Sequence, residues 1–82
     1  MNESDILCEL QNIFIEILGD NSIKLNHDKQ LAELTNWNSL NHVLIIEAIE
    51  NHYKIKFELA DMLEFLSVGD ICNNINKKVS SR

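Results

Sequence analysis

The sequence predicts an all-α fold, a small bundle of three main helices plus one short helix. Three observations lead to this class. Its 82 residues suffice for one domain, 1–82. Apolar side chains recur at helical spacing along most of the chain. Two glycines and no proline favour helices over turn-rich β structure. We expect the packed core to span 4–78, with 79–82 as a frayed tail.

The first helix is predicted over 4–18, with Ser4 as its N-cap. Its apolar residues repeat every three or four positions, which indicates one stripe facing a core. The stripe comprises Ile6, Leu7, Leu10, Ile13, Phe14, Ile17 and Leu18. Gly19 is expected to end the helix in the left-handed conformation.

A long connection follows, over 19–38. Leu25, Leu31 and Leu34 recur along it, so we expect it to pack onto the bundle, with a short helical turn between 28 and 34. Trp37 closes the connection and is interpreted as an apolar plug beneath it.

The second helix, predicted over 39–53, has two apolar sides. One side is expected to face the core and comprises Ile45, Ile46, Ile49 and Tyr53, with His42 beside them. The other side comprises Leu40, Val43 and Leu44, interleaved with Glu47, Glu50 and Asn51. A second apolar side edged by acids indicates either a docking surface for a partner or contact with a neighbouring loop.

The remaining segments complete the bundle. An extended link over 54–58 should turn Ile55 and Phe57 inward, and a short third helix is predicted over 59–64, carrying Met62 and Leu63. The last helix, predicted over 68–78, follows a sequence similar to a capping box, 67–70. Its core stripe comprises Val68, Ile71, Cys72 and Ile75.

Ser39 stands where the long connection ends and the second helix begins. We expect its hydroxyl to be exposed and to act as the N-cap. Helix N-termini offer unpaired N–H groups and a partial positive charge, which suit a phosphate group. Ser39 is therefore either a simple cap or a site of modification.

Several motifs at the same relative positions make this chain similar to acyl carrier proteins, in particular those with a central Trp-Asp-Ser-Leu motif. The matching stretches are Trp37-Asn38-Ser39-Leu40-Asn41-His42-Val43, Ile49-Glu50, Phe57, Asp61-Met62 and Ser67-Val68-Gly69-Asp70-Ile71. The resemblance covers about 4–78. Asn38 departs from the family, which usually has Asp before the serine; Asn keeps an acceptor oxygen but loses the charge.

The resemblance implies that Ser39 carries a 4′-phosphopantetheine arm, transferred from coenzyme A by a separate, Mg²⁺-dependent phosphopantetheinyl transferase. The thiol of the arm would carry acyl groups as thioesters between acyl-loading and acyl-transferring enzymes of a biosynthetic pathway, such as fatty acid or polyketide synthesis. The domain itself would catalyse nothing. The expected partner-binding residues are Asn38, Leu40, Val43, Leu44, Glu47, Glu50 and Asn51.

An alternative keeps the fold without the modification. In it, the chain is a helical adaptor that uses helix 39–53 only as a docking surface, and Asn38 is the residue that favours this interpretation.

The charge distribution is acidic. Thirteen acids and seven bases give a net charge of −6. Residues 1–76 contain all thirteen acids and only four of the bases, so their balance is −9. Such a surface repels nucleic acid and anionic membranes. It favours association with a basic patch on a protein partner.

Other chemistries find little support. Ser39 and His42 lie one turn apart but lack a third member of a catalytic triad, and the three histidines form no metal-ligand pattern.

Cys8 and Cys72 are expected to be small core residues in a reducing cytoplasm. The sequence shows neither a leader peptide nor an apolar run of about 18 residues, so we expect neither export nor membrane insertion. We expect a monomer.

Overall fold

The computed structural model describes residues 2–34 and 36–80, which form four α-helices and one 3₁₀ turn. The helices are α1 (Glu3–Leu18), α2 (Ser39–Tyr53), α3 (Leu59–Leu63) and α4 (Val68–Ser80). The 3₁₀ turn spans Leu31–Glu33. Helix α1 packs against both α2 and α4, and the all-α prediction is confirmed.

Helix α1 begins one residue earlier than expected. The Oδ1 atom of Asn2 accepts a hydrogen bond from the backbone N–H of Asp5 at 2.9 Å, so Asn2 is the N-cap. The prediction of Ser4 as the cap is wrong, because Asn2 already supplies an acceptor three residues before a first-turn N–H group. Gly19 ends the helix at φ 69°, as predicted, and its N–H donates to Ile15.

The core lies between the apolar stripes of the three long helices. Its fully buried side chains are Ile6, Leu10 and Phe14 from α1, Ile45 and Ile49 from α2, and Val68, Ile71, Cys72 and Ile75 from α4. The predicted stripes of α2 and α4 are thus confirmed. On α1, the outer members of the predicted stripe are only half-buried: Leu7, Ile13 and Ile17.

Cys8 is exposed, so the prediction that it is a core residue is wrong. It lies two residues from both Ile6 and Leu10, about 200° around the helix from each, and so faces solvent. Cys72 is buried as predicted. Burial raises the pKa of the Cys72 thiol to about 11, which keeps it protonated at neutral pH.

The connection between α1 and α2 packs onto the bundle, as predicted. Leu31 and Leu34 are buried and Leu25 is half-buried; Ile23 is also buried, which the sequence analysis had not identified. Backbone hydrogen bonds tie the connection to the start of α4, and one of them joins the N–H of Gly69 to the carbonyl of His27 at 2.8 Å.

Helix α3 is a small element on the surface. The link before it turns Ile55 and Phe57 into the core, as predicted. None of the residues of α3 is buried, and Leu63 is 74% exposed. The helix is joined to α4 by an ion pair between Asp61 and Lys78, 3.0 Å apart.

Helix α4 begins with the predicted capping box: the Ser67 hydroxyl accepts from the N–H of Asp70, and the Asp70 carboxylate accepts from the N–H of Ser67. The helix continues to Ser80, two residues beyond the predicted end at 78. Val79 lies four residues after Ile75 and packs against the core, which extends the apolar stripe by one turn. Positions 81 and 82 lie outside the described residues.

Candidate functional site

Ser39 is the first residue of α2 and is exposed, as predicted. It is not the N-cap. Asn38 has the extended backbone of a cap, and its Oδ1 accepts from the N–H of Asn41 at 2.9 Å. The prediction of Ser39 as the cap is wrong because the Asn38 amide reaches that N–H group instead. The Ser39 hydroxyl therefore takes no part in capping the helix.

The side chains of two asparagines fix the backbone on either side of Ser39. Asn36 adopts the left-handed conformation at φ 67°, and its Nδ2 donates to the carbonyl of Leu18 at 3.1 Å. The Nδ2 of Asn41 donates back to the carbonyl of Asn36 at 2.7 Å. These bonds join the end of α1, the loop and the first turn of α2, so the backbone that presents Ser39 is held at both sides.

An open depression lies beside Ser39. It has a volume of about 440 Å³ and is lined by Trp37, Asn38, Ser39, His42 and Val43. Trp37 is half-buried, as expected for a plug under the loop, but it also forms one wall of this depression.

The aromatic wall is held in place by its neighbours. The Trp37 ring stacks on Phe14, with centroids 5.9 Å apart, and meets the His42 ring edge-on at 5.2 Å. Burial lowers the pKa of His42, which favours the neutral imidazole. The depression is consequently lined by uncharged groups.

The outer side of α2 is an apolar surface that continues from Ser39. Leu40, Val43 and Leu44 are 68%, 59% and 41% exposed. Glu47 and Asn51 are exposed on the same helix. We call Leu40, Val43, Leu44, Glu47 and Asn51 the α2 face.

Glu50 differs from the other residues predicted for partner binding. It is half-buried, and its Oε2 accepts a hydrogen bond from the backbone N–H of Phe57 at 2.8 Å. The carboxylate thus stabilises the link that follows α2. No sequence motif joins these two positions, and only the folded chain brings them together.

Three leucines near α3 are exposed, which the sequence analysis did not predict: Leu59, Leu63 and Leu66. Leu59 and Leu63 are four residues apart and share a helix face, and this spacing was the available signal.

Within residues 2–34 and 36–80, no group of three or more His, Cys, Asp or Glu side chains is arranged to hold a metal ion. No helix in that part of the chain has the length and apolar character needed to cross a bilayer.

Comparison with known proteins identifies the family. The family model described as "Phosphopantetheine attachment site" matches residues 8–75. The chain belongs to this family. It is also similar to the solution NMR structure of a holo acyl carrier protein from Geobacter metallireducens, at 35% identity and a TM-score of 0.85. That match covers 92% of this chain and 86% of the other. No curated protein sequence matched.

Membership of this family gives the chain its general role, which is that of an acyl carrier. Carriers of this family are not enzymes; they interact with enzymes and hold acyl groups on a covalently attached 4′-phosphopantetheine. The residues present fit such a group. An exposed hydroxyl, a helix N-terminus suited to a phosphate and an uncharged depression lie side by side at Ser39.

Proposed function

We propose that Ser39 is the residue that carries the 4′-phosphopantetheine arm of this acyl carrier. The observation that supports it is the exposed Ser39 hydroxyl, which begins α2 while the neighbouring Asn38 performs the capping. A transferase can reach this oxygen without breaking any hydrogen bond of the helix start.

The modification forms one bond and breaks another. The Ser39 oxygen attacks the phosphorus that bears pantetheine in coenzyme A, the pyrophosphate P–O bond breaks, and 3′,5′-ADP leaves. The hydroxyl proton passes to a base of the transferase, and a phosphodiester remains on the serine. The first N–H groups of a helix have no partner within it, so those of Ser39 and Leu40 are suited to the new phosphate. The helix dipole adds about 0.3–1 kcal/mol at such an exposed position.

Intact mass spectrometry tests this assignment. The protein is incubated with coenzyme A, Mg²⁺ and a broad-specificity phosphopantetheinyl transferase. We expect the mass of one phosphopantetheine to be added to the wild-type protein and to Ser4→Ala, but not to Ser39→Ala. Ser4 is a matched control because it is also an exposed serine in the first turn of an asparagine-capped helix.

Two outcomes would contradict the assignment. Addition of the arm to Ser39→Ala would place the attachment at another residue. No addition to the wild-type protein with any transferase would favour the adaptor interpretation, in which helix α2 is only a docking surface.

The enzymes that act on the arm are proposed to dock on the α2 face, with Asn38 at its edge. They comprise the phosphopantetheinyl transferase and the acyl-loading and acyl-transferring enzymes. Three exposed apolar side chains beside the attachment residue supply the contact area. Glu47 supplies an exposed carboxylate for a basic group of the partner. Glu50 contributes less, because its carboxylate is already hydrogen-bonded to Phe57.

Charge reversal at the two glutamates separates docking from stability. We expect Glu47→Lys to slow loading several-fold at low salt and to leave thermal unfolding almost unchanged, because exposed charge contacts are worth about 0.2–1 kcal/mol. Glu50→Lys should instead lower the free energy of unfolding by about 1–3 kcal/mol, because the Phe57 N–H loses its acceptor. Initial loading rates and thermal unfolding curves measure the two effects. Equal losses of stability in both variants would contradict this division of roles.

A further inference from the structure

The depression beside Ser39 has the size and lining of a small ligand site. Its volume, about 440 Å³, lies within the range of about 300–1,000 Å³ that is usual for such sites. A second depression, between α3 and α4, is about 210 Å³ and is lined by three carboxylates and a lysine. The depression at Ser39 is therefore distinguished by a lining without carboxylates or lysines, which suits an uncharged group.

We propose that this depression binds the pantoyl part of the arm, with its two methyl groups against Trp37 and Val43. The proposal rests on the attachment at Ser39 proposed above. The pantoyl group follows the phosphate directly, so it is the part of the arm nearest to the attachment residue. Because Ser39 itself lines the depression, the first atoms of the arm can enter it directly.

The lining matches the chemistry of this group. A pantoyl unit carries two methyl groups, one hydroxyl and one amide, and it has no charge. The Trp37 ring and the Val43 side chain offer apolar contact. Asn38 uses its Oδ1 for the cap, which leaves its amide N–H groups as donors for the hydroxyl or carbonyl of the arm.

The wall is also preorganised, which reduces the entropic cost of binding. Trp37 is stacked on the fully buried Phe14 and is flanked by His42. The asparagine bonds described above hold the loop that carries this tryptophan. Binding of the first part of the arm here would hold it beside the α2 face and leave the thiol end free to reach a partner enzyme.

Nuclear Overhauser contacts test the proposal directly. Protein labelled with ¹³C and ¹⁵N is loaded from unlabelled coenzyme A, and loading is verified by intact mass. We expect isotope-filtered contacts from the arm's methyl protons to the indole protons of Trp37 and the methyl groups of Val43. If the arm methyl resonances of fully loaded protein have the same chemical shifts as in free coenzyme A, and such contacts are absent, the inference is overturned.

Fluorescence quenching gives an independent readout, because Trp37 is the only tryptophan of the chain. Loading should lower the acrylamide quenching constant of Trp37 in the wild-type protein. Val43→Asp, once intact mass shows it to be fully loaded, should lack this decrease, because the substitution places a carboxylate in the depression. Leu63→Asp should preserve it: Leu63 is a similarly exposed aliphatic residue, on α3, outside the depression.

The outcomes distinguish this inference from the proposed function. A complete gain of mass at Ser39, with the same quenching constant before and after loading, would overturn the depression as an arm site and leave the attachment in place. An equal decrease of the quenching constant in Val43→Asp and in wild type would also overturn the depression as an arm site and leave the attachment in place. Failure of the wild-type protein to gain mass would overturn both.

Discussion

Replacing Asn38 by alanine tests whether this residue, and not Ser39, caps α2. The substitution removes the acceptor that lies 2.9 Å from the N–H of Asn41. Because Asn38 is exposed, no cavity forms, and the expected loss is that of an N-cap, about 0.5–2 kcal/mol. In a domain of this size, each kcal/mol lowers Tm by about 4–8 °C.

Asn38→Asp should have the opposite effect on stability. Aspartate keeps the acceptor oxygen and adds a negative charge at the positive end of α2, which stabilises the helix by about 0.3–1 kcal/mol at low ionic strength. We therefore expect Tm to rank Asp above Asn and Asn above Ala at position 38, in thermal unfolding followed by circular dichroism at pH 7. Added salt should reduce the advantage of aspartate.

Ser39→Ala is the control for both variants. The Ser39 hydroxyl takes no part in capping, so its removal should leave Tm nearly unchanged. The reasoning would be refuted if Ser39→Ala lost as much stability as Asn38→Ala, or if Asn38→Asp unfolded at a lower temperature than Asn38→Ala.

Two further predictions concern the contacts of α4. A Cβ atom at Gly69 would lie 2.7 Å from the carbonyl oxygen of His27; because this is a backbone atom, Gly69→Ala should lower the free energy of unfolding by about 1–3 kcal/mol, and an unchanged urea midpoint would contradict this. Hydrogen bonds from the N–H of Glu58 and from Lys78 lower the pKa of Asp61 from its usual 3.8 to about 2. The folded state thus favours the ionised carboxylate, and its contribution to stability is present above pH 3.8 and is lost as the pH falls through about 2. Asp61→Asn should be less stable at pH 7 and should show a weaker loss of stability in acid; parallel pH profiles of the two proteins would refute this.

The helices could be predicted because their signals are local. The apolar residues of α2 repeat within one or two turns, and its predicted bounds match those of the structure. The same rule placed Cys72 in the core. Cys8 is apolar but lies at an angle around α1 that faces away from the core, and asparagines that precede Ser4 and Ser39 supply the cap acceptors.

The candidate site was predicted only in part. The exposed position of Ser39 and the apolar residues after it follow from the point where the loop ends and α2 begins. The structural use of Glu50 does not follow, because its hydrogen bond to Phe57 depends on the path of the link after the helix. Likewise, the contact between Gly69 and His27 joins segments that are far apart in sequence.

By itself, the sequence determined which segments are helical, which stripes are buried and which serine begins α2, since periodicity and helix ends depend on residues within a few positions of one another. Only the tertiary structure decided that Trp37, in the loop before α2, stacks on Phe14 of α1 and thereby forms a wall beside Ser39. Such a contact depends on how α1, the loop and α2 pack together, and packing between distant segments leaves no repeat in the sequence.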